Sequence, residues 1–313
     1  MEQPPRPDAI FLADLHLQPT TPKCRQEGEF LHAMWTKLEY IQAFRSQWRE
    51  PVPIFVAGDI THRWNNPPWF LRWLIKYFPP DSYVVCGQHD LPAHRLDRVE
   101  KSTLGVLEAA GVVRILGPAE GVLLPDCSAV IVGWPWGTTP ERPTDWDSTP
   151  ELRIVALTHT FTYKGKAPWP GCVAPTDKAL LRKFKGYDLV VAGDNHTPSL
   201  TSFKNGRKIL VPGSLMRISA DQVDHDPRMY LYYAKNNSIV IEPLPFDRDA
   251  VSREHLERES QQEQRISAFV ETLEHEFEVE LSFRHNLDEY MRVNKLPKRL
   301  RIIINEAMEG END

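Results

Sequence analysis

The chain is poor in cysteine: Cys24, Cys86, Cys127 and Cys172 are the only four in 313 residues, and no two form a Cys-x-x-Cys pair. That spacing excludes a zinc knuckle and a dithiol redox motif, and it predicts free thiols, mostly buried, in a reducing compartment. Long apolar runs are missing as well. None approaches the roughly 18 residues needed to cross a bilayer, and the first residues lack the basic-then-apolar order of an export signal. A cytoplasmic protein without a membrane partner is expected, in the host cytoplasm for a viral version. Excess positive charge is also absent, since 37 Lys+Arg face 43 Asp+Glu for a formal charge of −6. Residues 250–313 hold 9 of the bases and 15 of the acids, so the whole negative excess lies in the tail and the body is balanced. This excludes a strongly basic nucleic-acid binder. No internal repeat is visible, and biased composition is confined to Pro-rich residues 1–7 and the acidic end.

What the chain does have is a core: 41% of its residues are hydrophobic, and the length suits one large domain with an appendage or two small domains. Short β-branched runs at 10–13, 53–57, 83–86, 112–116, 130–132, 154–157 and 189–192 read as strands buried on both faces. Helical patterns over 27–49, 67–78 and 97–110 fill several of the gaps. Further strands at 200–203, 208–211, 229–233 and 238–242 are separated by turn signals such as Asn205-Gly206 and Asn236-Asn237, which predict hairpins. The expected fold class is α/β: two sheets packed face to face with helices outside. Domain bounds are set at 1–246, with a mainly helical acidic extension over 247–313. In that extension Ile266, Phe269, Val270 and Leu273 form one apolar stripe and Leu287, Tyr290 and Met291 another; Pro297 interrupts the pattern before a short apolar run at 300–304.

Five polar motifs follow five of the strand-like runs. Asp14-x-His16 puts a carboxylate and an imidazole on the same side of an extended segment, where both reach one ion. Gly58-Asp59 lets backbones approach closely and leaves a carboxylate free to bridge two ions ~4 Å apart, although a capping Asp is the plainer reading of that dipeptide alone. In Gly87-Gln88-His89-Asp90 the amide oxygen is a neutral ligand, the histidine is a proton donor toward a leaving group, and Asp90 is a carboxylate to steady its charged form. His159 reads either as a ligand or as a satisfied histidine at a strand end. Asp194-x-His196 repeats the carboxylate and imidazole spacing. Carboxylates, imidazoles and a carboxamide at turns after buried strands are what two hard-to-borderline divalent cations require, so metal-assisted hydrolysis is the expected chemistry. After His159, residues Lys164, Lys166, Lys178, Arg182, Lys183 and Lys185 make a basic stretch beside Trp169 and Phe184. It suits a phosphate backbone with bases stacked on the rings, or is simply a solvated helix face.

The order of these motifs over residues 10–214, with Pro212-Gly213-Ser214 following, resembles the calcineurin-like metallophosphoesterases, and within them most closely the SbcD-type DNA repair nucleases. His62, three residues after Asp59, and the segment Pro212–Arg217 are similar to those nucleases. The resemblance implies a four-layer α/β/β/α sandwich. It implies one cation on Asp14, His16, Asp59 and His196 and a second on Asp59, Gln88, His159 and Asp194, with His89 as general acid and His62 near the scissile phosphate. Manganese is the implied metal, with magnesium as the other hard ion. Gln88 stands where the family has asparagine and Asp194 where it has histidine, both on the second cation. Implied partners are DNA, an SbcC-like ATPase of the SMC family reached through the C-terminal helices, and a second copy of the chain. A stripe packed back on the body is the other reading of those helices. A phosphatase or cyclic-nucleotide phosphodiesterase, and a non-catalytic scaffold on the same fold, are the competing functions.

Overall fold

A computed structural model describes residues 5–26, 30–125, 128–142, 152–254, 265–267 and 283–309. Among these residues are twelve strands: β1 (Ala9–Leu12), β2 (Ile54–Ala57), β3 (Ser82–Val85), β4 (Val113–Ile115), β5 (Gly121–Leu123), β6 (Ala129–Trp134), β7 (Arg153–Thr158), β8 (Leu189–Ala192), β9 (Ser199–Ser202), β10 (Lys208–Val211), β11 (Arg228–Tyr233) and β12 (Ser238–Pro243). They form two six-stranded mixed sheets, ordered β12-β11-β1-β2-β3-β4 and β5-β6-β7-β8-β10-β9. In the first sheet β1 to β4 run parallel, and in the second β6, β7, β8 and β10 do. The antiparallel hairpins β9–β10 and β11–β12 sit at the sheet edges, joined through the Asn205-Gly206 and Asn236-Asn237 turns.

The alternation of side chains along each strand builds the layers. Ala9 and Phe11 of β1 join Val155, Leu157 and Val191 of the opposite sheet in a core between the sheets. Ile10 and Leu12 face the other way, onto Phe30, Met34, Leu38 and Ile41 of helix α1 (Phe30–Arg45) and onto residues of α2 (Pro68–Tyr77) and α3 (Thr103–Ala109). On the far side Val130, Ile154, Ala156 and Val190 cover Leu180 and Leu181 of α4 (Asp177–Lys183). Strands with both faces covered must be apolar throughout, and β1, β2, β6 and β8 are buried at every position. This is the four-layer α/β/β/α sandwich.

Met1–Ser252 forms one compact unit and Arg253–Asp313 another. In the second unit α5 (Phe283–Val293) and α6 (Lys298–Glu309) are helical. The apolar run at 300–304 is therefore part of a helix, with Pro297 just before its first turn, where a missing N–H is harmless. Leu287 and Met291 are buried, while Phe269, Val270 and Leu273 lie outside the described residues. Strand β5 has no counterpart among the predicted elements, and α4 corresponds only to the solvated helix face that is one reading of the basic stretch. No helix among the described residues is long and apolar enough to cross a membrane.

Candidate metal centre

All five motifs leave the C-terminal ends of parallel strands: Asp14 and His16 after β1, Asp59 after β2, Gln88 and His89 after β3, His159 after β7, Asp194 and His196 after β8. β1, β2 and β3 are neighbours in one sheet and β7 and β8 in the other, so the turns meet across the sandwich at one rim. Ligands in open parallel sheets bind beyond such ends. Reaching the centre bends the backbone sharply. Asp14, His16, Asp59 and Asp194 all have positive φ, between 45° and 76°. Each costs about 1 kcal/mol or more for a residue with a side chain, and strain of this kind concentrates at functional sites. Glycines make the room. A Cβ on Gly193 would lie 2.0 Å from the Ala57 carbonyl oxygen, and one on Gly87 would lie 2.0 Å from Asp59 Oδ1.

Among the described residues, three groups of potential ligands each have their ligand atoms within 4.8 Å of one another: Asp14, His16 and His196; Asp14, Asp59 and His159; and His16, His62 and His89. Asp59 joins the first two groups, with its Oδ2 3.4 Å from His159 Nε2 and 3.8 Å from His16 Nε2. His159 Nε2 also stands 3.9 Å from Asp194 Oδ1. The structure thus gathers Asp14, His16, Asp59, His159, Asp194 and His196. It differs from the predicted division in one respect, because Asp14 reaches the His159 group as well as the His16 group. Gln88 closes the set from the side, donating from Nε2 to Asp194 Oδ1 at 2.6 Å.

The donor set fits divalent cations. His16 Nε2 and His196 Nε2 are 2.9 Å apart; two ligands about 2.1 Å from one octahedral ion lie about 3 Å apart. Burial holds both rings below the ordinary histidine range, which favours the neutral form a metal binds. His159 Nδ1 donates to the Ala57 carbonyl at 2.7 Å, which leaves Nε2 as the nitrogen facing the centre; burial opposes charge on this ring, but Asp59 beside it prevails and raises it to about 10, so a cation would take the place of the Nε2 proton. That Nε2 and the Gln88 Oε1 are buried without a hydrogen-bond partner among the described residues. Burial drives the Asp14 carboxyl far above its usual value, and the charge of Asp59 adds to it. Burial also opposes ionisation of Asp59, but His159 beside it prevails and holds that carboxyl low. Several buried carboxylates and unpartnered nitrogens at one rim are costly alone and are neutralised together by cations.

His89 lies at the edge of this group. Its backbone N–H donates to Asp59 Oδ1 at 2.9 Å, and its Nδ1 donates to the His62 carbonyl oxygen at 2.9 Å. The His62 ring is stacked on it, centroids 5.5 Å apart. Both line an open cavity of about 360 Å³ with Arg63, Trp64 and His94. Asp90 is a correction. Its fully buried carboxylate accepts N–H bonds from Asp59, Ile60 and Gly87 at 2.9–3.0 Å and from Thr61 at 3.4 Å, and the partner of the His89 ring is a carbonyl instead. Asp90 locks the turn that presents Asp59; its place three residues after Gly87 in a turn was the available signal. Phe184 is the second correction: it is buried under the second sheet among Leu180 and Tyr187, out of reach of any base.

No curated protein matches this sequence. Among solved structures, the chain is similar to a 5'-nucleotidase precursor from Thermus thermophilus at 13% identity and a TM-score of 0.45, over 83% of this chain and 59% of that one. It is similar to the calcineurin-like phosphoesterase YfkN from Bacillus subtilis at 13% identity and 0.42, over 84% and 98% of the two chains. A dimetal phosphatase from Danio rerio matches at 12% identity and 0.44, over 76% and 100%. The profile of the calcineurin-like phosphoesterases matches residues 9–198, from the first strand through the last ligand motif. That span is more than half of the sequence, and the chain belongs to the calcineurin-like phosphoesterase family.

Proposed function

We propose that this phosphoester hydrolase cuts the phosphodiester backbone of DNA. The observation that carries the reading is a tether. Asn195, between the two ligands of the last motif, donates from Nδ2 to the Thr162 carbonyl at 2.7 Å. It pins beside the metal centre the loop that carries exposed Lys164 and Lys166 and the half-exposed Trp169. Lys178, Arg182, Lys183 and Lys185 continue the basic surface along α4 and beyond. Cations with an aromatic face beside a hydrolytic centre match a strand of nucleic acid better than a small phosphomonoester.

The residues that would hold the cations are Asp14, His16, Asp59 and His196 on one side and Asp59, Gln88, His159 and Asp194 on the other. Two divalent cations supply, when bound, polarisation of the phosphoryl oxygens and a more acidic water. Gln88 and Asp194 bring oxygen donors to the second position, which favours a hard ion such as manganese or magnesium. The side chains do the rest. With Nδ1 committed to the His62 carbonyl, His89 keeps Nε2 for the proton that the departing sugar oxygen needs. Asp90 holds the Asp59 turn rigid, and His62 stacks on His89 and limits its rotation. The C-terminal unit is our candidate surface for an SbcC-like ATPase, with Leu300, Ile302 and Ile303 exposed on α6.

End-labelled linear DNA with manganese tests the reading. Wild type should release labelled fragments, His89→Ala should lose about 100-fold or more in rate with metal still bound, and Lys164→Ala/Lys166→Ala should bind DNA more weakly and lose part of its salt dependence. Hydrolysis of p-nitrophenyl phosphate by a wild-type chain that leaves DNA intact would replace the nuclease with a phosphatase.

A further inference from the structure

Helix α1 buries Phe30, Met34, Lys37, Leu38, Ile41 and Arg45 along its inward stripe. Two of these are cations in positions that call for apolar side chains. Arg45 donates to the Pro80 carbonyl at the far end of the helix. Lys37 is only 2% exposed, and among the described residues it has no hydrogen-bond or ion-pair partner. It lines a cavity of about 430 Å³ together with Arg25, His32, Phe246 and Asp247.

Among the described residues, the side chains around this cavity carry more positive than negative charge. Arg25 donates from Nη1 to the Arg217 backbone oxygen at 3.0 Å, and the buried Arg217 guanidinium lies over the Phe246 ring, 4.9 Å from its centroid. Burial, reinforced by the charges of Arg25 and Arg217, lowers the Lys37 amine to about 7. Asp247 is the single carboxylate among the described lining residues; its charge acts on Arg25 and Arg217, it is exposed, and its Oδ1 accepts the Asp249 N–H at 3.0 Å. Among the described residues no carboxylate pairs with Lys37 itself; a buried ammonium so placed is costly, and an anion entering the cavity removes the cost. None of the metal-centre residues lines it.

We propose that this cavity is a second site, separate from the metal centre, that binds a small phosphate monoester through Lys37 and Arg25. A compact ammonium and a planar guanidinium together suit a tetrahedral oxyanion. The cavity is larger than one phosphate group and falls in the range of small-molecule sites, about 300–1,000 Å³. Its apolar wall at Phe246 and Ala33 leaves room for the rest of the ester.

Calorimetric titration of the full chain, with and without a chelator, tests this with inorganic phosphate, adenosine 5'-monophosphate and citrate. With chelator present, so that cations at the metal centre contribute nothing, phosphate and the nucleotide should still bind wild type. Binding should weaken at least about 10-fold in Lys37→Met, a substitution that suits the buried stripe, and stay within a few-fold of wild type in Lys37→Arg. Absence of phosphate binding by wild type under chelation would overturn the proposal, as would equal binding by wild type and Lys37→Met, or citrate binding more tightly than phosphate.

Discussion

Asp59 and Lys37 show the two ways in which a buried charge is tolerated. Asp59 is 1% exposed, yet it receives an N–H from His89 and lies within 4 Å of two imidazoles, so its environment is built around the ionised carboxylate. Lys37 has no such provision among the described residues, and burial pulls its amine down to about 7. An unfolded lysine titrates near 10.4. Between those values the unfolded chain holds a proton that the folded chain has released, so stability contributed at this position rises with pH from about 7 toward 10. In anion-free buffer, denaturant titration of wild type and Lys37→Met should show the variant more stable at pH 7 and the gap shrinking as pH approaches 10. A gap that is constant over that interval would mean that Lys37 keeps its charge when folded.

At the scale of elements, the site depends on turns held by side chains and on helices that keep basic groups in place. Thr176 caps α4, accepting the Ala179 N–H at 3.3 Å, and that helix carries Lys178, Arg182 and Lys183. Thr176→Ala should cost about 1 kcal/mol of stability by denaturant titration, and it should weaken DNA binding more than hydrolysis of a small phosphoester; equal losses in both would place α4 outside the DNA surface. The strands and the two Asn-containing hairpins were legible because covered strands must be apolar and tight turns need residues that accept left-handed backbone. Strand β5, three residues of which none is buried, offered no periodicity to read. Helix α4 is two turns long and mostly basic outside, and its inward residues Leu180 and Leu181 are too few to set a helical period. The ligand motifs were legible as residue types at strand ends. The role of Asp90 was not, since only coordinates show that its oxygens face backbone amides while a carbonyl serves His89.

For the whole molecule, the sandwich brings together two sets of strand ends that are distant in sequence, and the catalytic reading rests on that meeting. Asp14 and Asp194 are 180 residues apart, yet the Asp194 N–H donates to both Asp14 oxygens at 3.0 and 3.1 Å. The alternation of strands and helices predicted the layered class, but which turns would face each other followed only from the strand order. The acidic excess belongs to the tail's sequence, which leaves the body balanced in charge and able to accept an anionic substrate. The most direct test of the account is the manganese content of the full chain at equilibrium, read by elemental analysis alongside calorimetric titration. Wild type should hold two ions, and Asp59→Ala, with the carboxylate shared by both positions removed, should hold neither at comparable free metal. Two ions retained by the folded Asp59→Ala chain, or none in wild type, would contradict a two-metal centre at this rim.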